Sequence, residues 1–355
     1  MRRLSYSEFI EPRLTARRSA PNIAPSFLPE LQSVKSANLY FPIEQEMQSV
    51  DAVIRARLHS EVVLVRQVAE YIVSAGGKRM RPAVVLLAAR ACGYTGTQHH
   101  ELAAVVEFIH TATLLHDDVV DESSLRRGRN TANAVFGNAA SVLVGDFLYS
   151  RAFQMMVSVG SMRIMEVLAE ATNVIAEGEV LQLMNCRNAD ISIDDYLQVI
   201  RYKTAKLFEA ACRLGAIIAK QNDTTENAMA LYGMHLGTAF QLIDDVLDYS
   251  GKEAETGKHL GDDLAEGKPT LPLIHVIRHG TPTQSALVRR ALEEGRGEDF
   301  ADVLDAVRGC GALDITQKQG ATEAAAAKAS LSVLPDSKFK QTLLEFADFA
   351  VLRSY

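Results

Sequence analysis

The stretch ELAAVVEFIHTATLLHDDVVD, residues 101–121, decides how the chain folds. Its apolar residues recur at spacings of three and four, the period of a helix buried on more than one side. Yet the run ends in three carboxylates, Asp117, Asp118 and Asp121. Like charges this close repel one another, so a fold accepts them only beside strong positive charge or in open water. Helix positions i and i+4 share a face. Asp117 and Asp121 therefore point the same way, their side chains about 6 Å apart.

Working outward, the text from about residue 44 onward keeps the same helical character. VVLVRQVAEYIV (62–73), AVVLLAARA (83–91), SVLVGDFLYSRAFQMM (141–156) and MHLGTAFQLIDDVLDY (234–249) are rich in strong helix formers. No run of alternating strand type interrupts them. Several are apolar on most sides, as suits central helices of a large bundle. The expected fold is all-α, one large bundle over residues 44–355. Residues 1–43 read instead as a poorly ordered arm, with four prolines and five arginines in the first forty positions. These arginines faintly resemble a mitochondrial transit peptide, but Glu8 and Glu11 break the acid-poor rule, so a cytoplasmic location is the expectation.

The acidic motif occurs twice. Asp117-Asp118-Val-Val-Asp121 is matched by Asp244-Asp245-Val-Leu-Asp248, again at the end of an apolar helix. A lone copy reads as a solvated helix end. Two copies fit carboxylate clusters that face each other across a cavity. Oxygen-only ligands select hard cations, and Mg²⁺ characteristically takes one or two carboxylates and leaves its other positions to water and phosphate. Several Mg²⁺ ions around one diphosphate would satisfy both clusters.

Three loops rich in Gly and Lys/Arg supply cations. SAGGKRMRP (74–82) places Lys78 and Arg81 before a helix, where a close backbone approach and a helix start both favour an anion; a solvated basic turn is the competing reading. DESSLRRGRNT (121–131) carries Arg126 and Arg127 directly after the first acid cluster, and SGKEAETGKHLGDDLAEGKPTLP (250–272) carries Lys258 and Lys268 after the second. Arginine is suited to a bidentate grip on phosphate.

Bulk properties exclude other classes. The chain of 355 residues is 48% hydrophobic and 23% charged, with a net charge of −7. It contains no apolar run long enough to span a bilayer, and it lacks the basic balance of a nucleic-acid binder. Its four cysteines, Cys92, Cys186, Cys212 and Cys310, have no metal-ligand spacing and read as reduced thiols.

The paired DDxxD motifs, GGKRMRP, RRG, the Lys203-Thr204 pair and GDDLAEGKPTLP resemble the trans, head-to-tail isoprenyl diphosphate synthases. The resemblance covers residues 44–355 and is closest to the bacterial octaprenyl type that makes the ubiquinone side chain. It implies an isoprenoid-synthase bundle around a deep cavity, usually dimeric. It also implies ionisation of an allylic diphosphate such as farnesyl diphosphate, attack by isopentenyl diphosphate, and loss of a proton. Carried over by motif, Asp117, Asp118, Asp121, Asp244, Asp245 and Asp248 would hold Mg²⁺ on the allylic diphosphate. Arg126, Lys203, Lys258 and Lys268 would contact that diphosphate. Lys78, Arg81, His110 and Arg127 would bind isopentenyl diphosphate, while Thr204 and Gln241 would turn their dipoles to the nascent cation. A lipid-like product implies transient membrane contact.

Product length should be read along the first acidic helix. Ala112 and Thr113 lie about one turn, ~6–7.5 Å, below Asp117, and both are small, so the tunnel should stay open there. Met155 and Met156 are candidates for its floor, although methionines in a helix interior are more often plain core. Seven to nine isoprene units all fit. A terpene cyclase would lack the second DDxxD and the isopentenyl pocket, a non-catalytic partner subunit would lose an acid cluster, and a helical scaffold would show no Mg²⁺-dependent turnover.

Overall fold

The structure is a computed structural model that describes residues 39–250 and 260–353. These residues all belong to one compact unit. The chain enters through a short turn at Phe41–Ile43. Leu39 and Ile43 are already buried there, so packing begins within the last residues assigned to the arm. The rest of that arm, residues 1–38, lies outside the described residues.

Helix α1 (Glu44–Arg57) and α2 (Val63–Ser74) lead to α3 (Met80–Ala91) and α4 (Gln98–Val120). Pro82 sits in the first turn of α3, where its missing N–H costs no helical bond. Helix α3 is buried on nearly every side from Pro82 to Ala89, as its unbroken apolar text requires. After α4, a two-residue hairpin, β1 (Leu125–Arg126) and β2 (Arg129–Asn130), is the sole sheet among the described residues. Next come α5 (Ala132–Phe136), α6 (Asn138–Val159) and α7 (Met162–Asn185).

The hydroxyl of Ser192 caps α8 (Ile193–Ile200) by accepting from the amide of Asp195. A single π-helical turn, Arg201–Ala205, then joins α8 to α9 (Lys206–Ile218). Helix α10 (Asp223–Ser250) is the longest. Beyond it lie α11 (Asp262–Ala265), α12 (Leu271–His279), α13 (Pro282–Glu294), α14 (Phe300–Gly309), α15 (Ala312–Ser330) and α16 (Lys338–Leu352).

Helix α4 packs against α3 and α6, and α10 packs against α9 and α15. The main core runs continuously from Leu39 through α3, α4, α6, α9 and α10 to Ala350. No helix among the described residues is long and apolar enough to cross a membrane. No disulfide forms: Cys92 and Cys212 are buried free thiols, and burial pushes the Cys92 thiol up to about 12.

Candidate active site

Asp117 and Asp118 occupy the last turn of α4, and Asp121 caps it. Asp244, Asp245 and Asp248 occupy the last turns of α10. Carboxylates at a helix C-terminus meet the negative end of its dipole, so both clusters need cations. The structure supplies them. Lys268 Nζ lies 2.8 Å from Asp121 and 2.5 Å from Glu266. Lys203 Nζ lies 3.5 Å from Asp117 and 2.5 Å from Glu179. Arg353 Nη1 lies 2.7 Å from Asp244. Burial alone would lower the lysines, but their carboxylate neighbours override it and hold both ammonium groups above the ordinary range.

The two helix ends open on one cavity of about 680 Å³, within the size range of small-molecule sites. Asp117 and Asp121 line it, as do Asp244, Asp245 and Asp248. Asp118 does not: it is fully buried behind the wall, with Arg126 Nε donating to its Oδ1 at 2.6 Å. Asp245 is nearly as buried. Its Oδ2 accepts from the Tyr196 hydroxyl at 2.5 Å and its Oδ1 from the Gln241 amide at 2.9 Å. Burial, with Asp263 beside it, pushes the Asp245 carboxyl up to about 8, and burial raises Glu179 to about 7. Gln241 in turn accepts from the Thr204 hydroxyl at 3.0 Å. The chain Thr204–Gln241–Asp245–Tyr196 therefore fixes both ends of the amide.

A second, basic lobe of the same cavity is built from the 76–82 loop and the hairpin. Gly77 has φ +146°, and a Cβ there would stand 2.6 Å from the Arg127 guanidinium, so only glycine serves. Arg79 and Arg127 both adopt left-handed backbone conformations, which side chains hold only where the surroundings enforce them. Arg81 Nη1 donates to His110 Nε2 at 3.1 Å, and Arg81 lies 4.6 Å from the centre of the Phe208 ring. Burial, then the neighbouring arginines, hold His110 well below the usual range, so it is neutral. Lys78 and Arg353 both lie over the Phe240 ring, at 5.7 and 3.7 Å. The Tyr40 hydroxyl donates to the Lys78 carbonyl.

Of the residues marked for chain length, Thr113 lines the cavity, whereas Ala112, Met155 and Met156 are buried in the main core off its wall. Lys258 lies outside the described residues. Reading the sequence missed Glu179 and Gln182, which both hold Lys203, at 2.5 and 2.7 Å. It also missed Glu107, which holds Arg79 at 2.7 Å. Glu107 stands three residues before His110, one turn along the same face, and that spacing was a usable signal. Arg353 gave none, because it meets the site only through the docking of α16.

The donor set suits a hard divalent cation. Every acidic group on the cavity is an oxygen ligand, with Asp117 and Asp121 on one wall and Asp244, Asp245 and Asp248 on the other. A separate group, Glu46, His99 and His100, brings one ligand atom from each within 4.8 Å. Arg90 and His99 already hold Glu46, and the two imidazole rings lie tilted against each other at 4.3 Å, so the group is accounted for as a charge-paired cluster.

The family model described as polyprenyl synthetase matches residues 62–308. The chain belongs to the polyprenyl synthetase family. Members of this family are prenyltransferases. Among relatives, the chain is 55% identical over 310 residues to the octaprenyl diphosphate synthase of Escherichia coli, covering 87% of this chain and 96% of that one. It is 45% identical to an all-trans-nonaprenyl-diphosphate synthase of Rhodobacter capsulatus, covering 88% and 96%. Among solved structures, a polyprenyl synthase from Caulobacter crescentus complexed with calcium and isoprenyl diphosphate superposes with a TM-score of 0.88 at 45% identity, covering 90% of this chain and 98% of that one.

Proposed function

We propose that the protein is a long-chain all-trans polyprenyl diphosphate synthase that adds isopentenyl diphosphate units head-to-tail to an allylic primer such as farnesyl diphosphate. Its expected product is octaprenyl diphosphate, the precursor of a ubiquinone side chain. The observation that carries this reading is that both acidic helix ends open on one cavity, beside a separate basic lobe. Two diphosphates need two such places. The likeness to the E. coli octaprenyl enzyme favours a product of that length.

Asp117, Asp121, Asp244 and Asp248 would hold Mg²⁺ with the allylic diphosphate, and the bound ions would neutralise the charge that develops on the leaving group. Arg126 and Lys268, both on the cavity wall, would grip the same oxygens. Lys203 presents its ammonium beside Asp117, and Thr204 and Gln241 would turn hydroxyl and amide dipoles to the allylic cation. Lys78, Arg81, Arg127 and neutral His110 would hold isopentenyl diphosphate, with its double bond aimed at that cation. The leaving diphosphate is the natural acceptor of the proton lost after bond formation. Leu207, Phe208 and Ile175 on the wall would shield the cation from water.

The test is incubation of labelled isopentenyl diphosphate with farnesyl diphosphate, with and without Mg²⁺, and sizing of the dephosphorylated products. A long linear polyprenol formed only with the metal supports the reading; a cyclised product or no incorporation overturns it. Asp117→Ala is expected to abolish incorporation without changing helix content by circular dichroism.

A further inference from the structure

Lys203 and Thr204 enter the cavity on the π-turn between α8 and α9. Such turns are uncommon and persist only where their surroundings hold them. Two glycines on neighbouring helices meet the backbone of this turn directly. A Cβ added at Gly178 of α7 would stand 2.6 Å from the amide nitrogen of Lys203 and 2.8 Å from the Cβ of Tyr202. A Cβ added at Gly237 of α10 would stand 2.6 Å from the Cα of Ala205 and 2.9 Å from its Cβ. These contacts fall on main chain and Cβ atoms rather than on flexible side-chain tips, so admitting a methyl group displaces backbone, that of the turn or that of the helix against it. Both glycines lie inside long helices, where alanine would favour the helix. A third tie holds the start of the turn. Glu323 of α15 lies 3.5 Å from Arg201 Nη2, and its other oxygen lies 2.6 Å from His235 Nδ1.

We propose that Gly178 and Gly237 are positioning residues for the prenyl transfer: two hollows that seat the π-turn and thereby set how far the Lys203 ammonium and the Thr204 hydroxyl reach into the cavity. The inference rests on the synthase reading above. It differs from ordinary close helix packing in what the substitutions should change. Gly215 of α9 offers the contrast: a Cβ there would stand 2.5 Å from the amide of Ala89 and 2.5 Å from the Cβ of Ala88, so its nearest neighbours belong to α3 and not to the turn.

The experiment compares Gly178→Ala and Gly215→Ala with the full-length wild type, reading melting temperature, kcat and the KM for isopentenyl diphosphate. Relieving the clash moves the turn by nearly an ångström, and misplacement on that scale costs up to about 100-fold in rate. Gly178→Ala is therefore expected to lose on the order of 10- to 100-fold in kcat while the KM stays within about twofold. Gly215→Ala should melt earlier yet keep kcat within about twofold. Should Gly178→Ala not fold, Glu323→Gln, equal in volume, is expected to lower kcat several-fold at unchanged KM. Wild-type kcat in Gly178→Ala, an equal kcat loss in Gly215→Ala, or wild-type kcat in Glu323→Gln where that variant is the one measured, each overturns the inference. If the wild type transfers no prenyl group, the functional reading falls and takes this inference with it. An active wild type beside an unimpaired Gly178→Ala sinks this inference alone.

Discussion

At the scale of single residues, the site is a set of paired charges rather than a bare acidic mouth. Arg353 shows what such a pair contributes. Its guanidinium holds Asp244 at 2.7 Å, donates to the Phe240 carbonyl at 2.6 Å and lies over the Phe240 ring. It also lines the cavity near Lys78. Hydrogen bonds to charged groups contribute about 1.5–3 kcal/mol, so Arg353→Met should weaken binding of isopentenyl diphosphate roughly 10- to 100-fold, checked by titration calorimetry with a non-reactive diphosphate. Asp245 gives a pH prediction. An unfolded aspartate titrates near 3.9, whereas burial raises this one to about 8. Between those values the folded chain holds a proton that the unfolded chain has released, so the contribution of Asp245 to stability is present at low pH and lost as pH rises toward 8. The melting temperature of metal-free protein should therefore fall less between pH 5 and 8 in Asp245→Asn than in the wild type. Equal slopes by calorimetry would refute this.

At the scale of elements, the helices were legible because their apolar residues repeat with a helical period over long runs, and the acid clusters because each is compact in sequence. GGKRMRP was legible for the same reason: glycines, cations and a helix start fall within seven residues. The π-turn was not. Nothing in RYKTA departs from an ordinary helical pattern, and the room the turn occupies is left by Gly178 and Gly237, which are remote in sequence. The packing of α4 also sharpens the expectation for product length. Thr113 faces the cavity and its hydroxyl bonds back to the His110 carbonyl at 2.8 Å, while Ala112 is fully buried in the core. Thr113→Phe should therefore shorten the product to about three or four isoprene units, filling space one turn below Asp117. Ala112→Phe should instead overpack the core, costing about 1–3 kcal/mol. Chromatography of dephosphorylated products and thermal melts would separate the two outcomes.

At the scale of the whole molecule, α6 and α7 expose large apolar side chains: Leu143, Val157, Val180, Leu183 and Met184 are all more than half accessible. Exposed apolar groups gathered on neighbouring elements mark interaction surfaces, and a second copy of the chain is the partner expected of them. Sedimentation velocity should show a dimer, and Leu143→Glu should shift it toward monomer; an unshifted distribution would remove α6 from the interface. The convergence of three distant segments on the basic lobe was beyond sequence reading. Residues 76–82, the hairpin and α16 meet there only because the bundle closes around them.

The segment just before α1 carries a consequence for any version of the chain that lacks it. Tyr40 spans from the Phe346 ring, 5.6 Å away, to the main-chain oxygen of Lys78, acting as a strut under the loop that would grip isopentenyl diphosphate. A shortened form starting at Met47 would keep every motif yet lose that strut, together with the Leu39 and Ile43 anchors. Such a form should saturate with isopentenyl diphosphate only at higher concentration, while its response to the allylic primer stays the same.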